Sequence, residues 1–261
     1  MATISQKEWK KYTEMLRKIN DKAVSEFETW VVKNLGYEHI ERQVLIDRAY
    51  AIATKYGEAA ASLSSEMYDA IAALQGVLVP AAVPAETAAY SEVAKTVNGV
   101  LKKTDSEPIL AQAIGLLTKD AGQKTILQNA ERDEAEIAFV PQGDTCPYCI
   151  ALASRGWRKA SRSDYDKDGE PAHLHANCDC TYAVRFNTKI VYKGYEPEVY
   201  KEMYDDAPVP EYAAKSAKNK INAMRREAYA QNKEEINAQK RSAYAKRKER
   251  ESSAAEEINV D

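Results

Sequence analysis

All four cysteines of this 261-residue chain lie between positions 146 and 180, and two of its three histidines lie among them. The order is Cys146-Pro147-Tyr148-Cys149, a gap, then His173-Leu174-His175-Ala176-Asn177-Cys178-Asp179-Cys180. A C-x2-C turn sets two thiolates on one side of a tight knuckle, and a second pair from a distant segment can complete a tetrahedron with Zn–S bonds of about 2.3 Å. Such a site forces two stretches of chain to meet, and zinc suits sulfur and imidazole donors better than calcium or magnesium, which take oxygen. The preferred ligands are Cys146, Cys149, Cys178 and Cys180, with His175 replacing a sulfur if the C-x-C pair is strained. Spacing alone leaves that choice open. Reduced, unliganded thiols and disulfides are the competing readings; the second requires an oxidising compartment.

The N-terminus has no basic region followed by an apolar core, so a secretory signal is not expected and synthesis in a reducing cytoplasm is. The longest apolar run, around Ile71 to Val83, is interrupted by Gln75, Gly76 and Pro80 and is too short for a bilayer, so no membrane partner is expected. With 44% hydrophobic and 30% charged residues and a net charge of −3, the chain is neither a polycation nor an acidic disordered segment.

Around the cysteine cluster, helical periodicity dominates. Ser5-Gln6-Lys7-Glu8 forms a capping box with Ile4 and Trp9 placed as a staple, and Trp9, Tyr12, Leu16, Ile19, Ala23, Phe27 and Trp30 recur at intervals of three and four. This predicts one long helix ending at a left-handed Gly36. A second helix is expected from about Glu38 to Tyr56, stopping at Gly57, and a third from Glu58 to about Leu78. Val79 to Pro84, with two prolines, reads as a stiff connector. Further helices are expected at roughly 86–103, 107–120 and 123–135, with Gly99, Pro108 and Gly122 as breaks.

At Ala138 the character changes. Phe139 and Val140 read as a strand running into a turn before Cys146, and Tyr182, Val184 and Phe186 alternate with Thr181, Ala183 and Arg185 as a second strand. A short helix bearing Tyr200 and Tyr204 follows Gly194-Tyr195-Glu196-Pro197. From Glu211 to Glu251, twelve Lys or Arg stand against six Glu, about +6 of formal charge, with a thin apolar stripe; a long basic helix is expected. The fold class is thus mainly α: a helical bundle over 1–135, a small α+β zinc-knuckle unit over 136–207, and a basic helix with a frayed tail over 208–261. That helix is either solvated or in non-specific contact with DNA backbone. The N-terminal helix serves as bundle core or as a surface for self-association.

The same residues also admit enzymatic readings. The zinc deaminase pattern wants His-x-Glu, and here the residue two after His173 is His175. A Cys/His hydrolase or a zinc-knuckle nuclease using His173, His175 and Asn177 is the alternative to a structural, non-catalytic zinc. Asp164, Asp166, Asp168 and Gly169 match the first half of a calcium loop, but His175 stands where a bidentate Glu is needed, so a solvated acidic loop is favoured. Arg155-Gly156-Trp157 is expected to turn a short helix into a strand, with Trp157 in a packing role.

The run from Phe139 to Cys149, then Leu152-Ala153-Ser154-Arg155-Gly156, then His175-Ala176-Asn177-Cys178-Asp179-Cys180, resembles the core motif of tailed-bacteriophage minor capsid proteins related to the head-morphogenesis F protein of phage Mu. Gly194-Tyr195-Glu196-Pro197 resembles the segment that follows it there. The likeness covers roughly 125–207. It implies a non-enzymatic, low-copy head component near the portal vertex or packaged with the genome, with the portal or major capsid protein as partner. The family's H-x2-C-x-C falls on His175, Cys178 and Cys180.

Overall fold

The computed structural model describes residues 3–4, 6–34, 36, 39–102, 107–141, 147–161 and 181–206. All lie within one unit, Met1–Val209. Four helices come first: α1 (Gln6–Lys33), α2 (Arg42–Leu74), α3 (Tyr90–Leu101) and α4 (Glu107–Arg132). The stripe on α1 is real, and it serves two cores. Ala23, Phe27 and Val31 pack with Leu45, Ile52, Val93, Leu110 and Ile114 in the helical bundle, while Trp9 and Tyr12 belong to a second cluster. Gly36 takes a φ of 97° and donates to the Val31 carbonyl, the expected left-handed stop.

Three predicted breaks do not occur: α2 runs straight through Gly57, α3 through Gly99 and α4 through Gly122. Glycine costs about 1 kcal/mol in a helix interior relative to alanine; Gly99 stands in open space, but at Gly57 and Gly122 neighbouring chain comes too close for a side chain. A Cβ at Gly57 would stand 2.9 Å from Thr87 Cγ2, and one at Gly122 would stand 2.9 Å from Ser64 Oγ on α2. These two glycines let elements approach one another, with Ala60, Ala61 and Ala121 completing the small-residue contact.

The connector over 77–89 carries no regular secondary structure and lies along α4 through side-chain hydrogen bonds. Asn129 both accepts from the Val83 N–H (2.9 Å) and donates to the Val83 carbonyl (2.8 Å), and Thr125 accepts from the Ala85 N–H (2.9 Å). At the end of α4, Asp133 accepts from Tyr68 Oη (2.8 Å) and pairs with Arg132 (2.7 Å). Burial pulls the Asp133 carboxyl upward, but these two partners outweigh it and hold it below the ordinary aspartate range. Its contribution to stability is therefore complete above the unfolded pKa of about 3.9 and lost as pH falls through the lower folded value. Asp133→Asn should flatten the acid limb of a stability–pH curve while lowering stability at neutral pH; denaturant melts between pH 2 and 7 check this, and parallel curves for both proteins would refute it.

After α4 come β2 (Glu136–Val140), α5 (Pro147–Ala153), β3 (Arg158–Lys159), β4 (Thr181–Arg185), β5 (Val191–Tyr192) and α6 (Pro197–Asp206), with β1 (Thr3–Ile4) at the start of the chain. The main sheet is antiparallel in the order β3-β2-β4, and β1 pairs in parallel with β5. Both expected strands are present, as is the short helix bearing Tyr200. The alternation on β4 does not mark one buried face: Thr181, Tyr182, Ala183 and Val184 are all buried, so both faces are covered. Ala138, Val140 and Ala183 share the second core with Trp9, Tyr12, Ile71, Ala153, Tyr192 and Tyr195, so residues on both sides of position 135 build it.

Candidate metal centre

The cysteine-bearing segments are framed by β2 and β4. Val140, the last residue of β2, pairs with Thr181, the first of β4. The chain thus leaves β2 toward the C-x2-C and enters β4 directly after the C-x-C at one and the same end of the sheet. Cys149 sits on α5 with 1% of its surface exposed, as suits a sulfur turned away from water. A buried thiol is also a good small apolar side chain, but the donor chemistry of this position fits a zinc ligand equally well. Cys146, His173, His175, Cys178 and Cys180 lie outside the described residues, as do Ser5 of the capping box, Asp164, Asp166, Asp168 and Gly169, and the basic segment. Among the described residues no group of three or more His, Cys, Asp or Glu is gathered to hold a metal.

α5 is held from its far side by the Gly194–Pro197 segment. Gly194 turns with a φ of 91°, and the Tyr195 hydroxyl donates to the Ala153 carbonyl (2.8 Å) at the end of α5. Gly156 has a φ of 65° and sits against Pro197, where a Cβ would find the proline ring at 3.4 Å. Trp157 packs at the margin of the second core between Tyr192 and Tyr195, with the Arg185 guanidinium 4.6 Å from its ring centroid.

Sequence reasoning missed the residues that secure β4. Its outer edge would expose unpaired backbone groups, and side chains from three elements meet them. Gln123 accepts from the Tyr182 N–H (3.2 Å) and donates to Thr181 Oγ1 (2.7 Å). The Tyr192 hydroxyl donates to the Val184 carbonyl (2.7 Å) and accepts from its N–H (3.3 Å), and Gln75 accepts from the Phe186 N–H (2.8 Å). Tyr12 completes the cluster, its hydroxyl 3.0 Å from Ser64 Oγ. Burial pushes the phenols of Tyr12, Tyr192 and Tyr195 well above the ordinary tyrosine value, so they stay protonated, and Tyr192 and Tyr195 donate to backbone carbonyls. A buried polar residue within an apolar helix pattern, such as Gln123, was the available signal.

A family model described as VG15 protein matches residues 3–207, from β1 to just past α6. The chain belongs to the VG15 protein family. That family is one of phage gene products, and its extent takes in the helices, the sheet and both cysteine pairs, while 208–261 lie beyond it. No curated protein and no solved structure matches the chain. No helix among the described residues is long and apolar enough to cross a membrane.

Proposed function

We propose that this VG15 family member is a structural, non-enzymatic component of a tailed-phage head, of the minor capsid type typified by the Mu F protein. In this reading one zinc ion is held by Cys146, Cys149, Cys178 and Cys180, with His175 as the alternative donor, and it fixes the shape of the unit around β2 and β4. The zinc supplies cross-linking and not turnover. The observation carrying the reading is the Val140–Thr181 pairing, which starts both cysteine-bearing segments from one end of the sheet; the motif resemblance and the phage family support it. The portal and the major capsid protein are the expected partners, and the virion is the expected location. Quantitative mass spectrometry of purified heads tests the assignment. The chain should be retained at low copy number. Its absence from heads, together with metal-dependent DNA nicking lost on His173→Ala or His175→Ala, would replace the structural reading by the nuclease one.

A further inference from the structure

An open groove of about 540 Å³ runs between the turn after α5, the end of β4, β5 and the first turns of α6. Arg155, Arg185 and Lys201 line it against a single carboxylate, Glu198. Over the whole chain acidic residues slightly outnumber basic ones, so this three-to-one excess of cations is local. Arg155 and Lys201 are exposed and have no ion-pair partner among the described residues. Arg185 is different. Glu136 holds its Nε at 2.6 Å, and the guanidinium lies over Trp157, giving a pre-set stack of a planar cation on an indole. Gly156, pinned beside Pro197, fixes the turn that presents Arg155.

We propose that this groove binds a single-stranded nucleic-acid segment, with phosphates on Arg155 and Lys201 and a base against the Arg185–Trp157 stack. Cationic lining combined with a planar platform is the arrangement that grips unpaired strands with little regard to sequence. A duplex keeps its bases stacked inside and cannot offer one to the platform, and polyglutamate or polyphosphate has no ring for it. The site is independent of the zinc reading, since none of its residues is a candidate ligand.

The test is fluorescence anisotropy of the full chain with a labelled oligothymidylate of about 12 nucleotides, a length within the usual range of single-strand sites. Arg155→Glu with Lys201→Glu should raise Kd by about tenfold or more and flatten the salt dependence. Lys11→Glu with Lys18→Glu, an equal charge change on exposed positions of α1, should leave Kd within about twofold, because no phosphate is lost from the groove. Unlabelled oligothymidylate should compete better than a duplex of equal length, polyphosphate or polyglutamate. Equal loss in both double variants, undiminished binding in the groove variant, or equal competition by any of those three polyanions would overturn the proposal.

Discussion

Stripping the metal from the zinc-loaded chain is expected to open the protein between 141 and 181 to protease while the α1–α4 bundle persists. Metal binding and folding are one equilibrium where no preformed site survives without the ion, and structural zinc in small domains contributes on the order of 10 kcal/mol. The bundle core of Phe27, Leu45, Ile52, Val93 and Leu110 contains no residue of that segment, so helical circular dichroism should fall only modestly. The second core is more exposed to the loss, because Ala153 on α5 and Ala183 on β4 both belong to it, and near-ultraviolet signals from Trp9, Trp157 and Tyr192 should weaken. Metal analysis should find one zinc per chain before chelation, and Cys149→Ser should reduce that occupancy. An unchanged digestion pattern after complete zinc removal would end the structural-zinc reading.

The second large effect is expected at Gln123, which is 1% exposed. Gln123→Leu keeps the volume roughly constant but leaves the Tyr182 N–H without its acceptor inside the protein, and an unsatisfied buried group costs about 1–3 kcal/mol. Gln75 makes a similar contact with the Phe186 N–H, yet it is only half-buried. Water can take its place, so Gln75→Leu should destabilise less. Urea denaturation of the three proteins decides the matter: equal midpoints for the two variants would show that burial at the edge of β4 is not what makes Gln123 important.

Much of the fold could be read directly from local pattern. The intervals from Trp9 to Trp30 located α1, Gly36 its end, and the β-branched and aromatic residues around Val140 and Val184 the two central strands. Local pattern failed where glycine's intrinsic cost was taken as decisive. Gly57 and Gly122 remain helical because Thr87 and Ser64, distant in sequence, need the space, and one chain read in order does not contain that requirement. The candidate site divides the same way. Cysteine spacing suggested a ligand set that lies mostly outside the described residues, whereas Gln123 and Gln75 reach β4 and the residue just beyond it from 58 and 111 positions away. Their role depends on the sheet already being in place.

The rim of β4 carries one more consequence. A strand left with vacant amide and carbonyl groups is a template on which another chain can grow, a hazard wherever many copies of one polypeptide are crowded together. Here glutamine and tyrosine already occupy those positions at Tyr182, Val184 and Phe186. Copies of this protein gathered in a confined space could not extend the sheet across β4, because that side of the sheet has no vacancy to offer a neighbour.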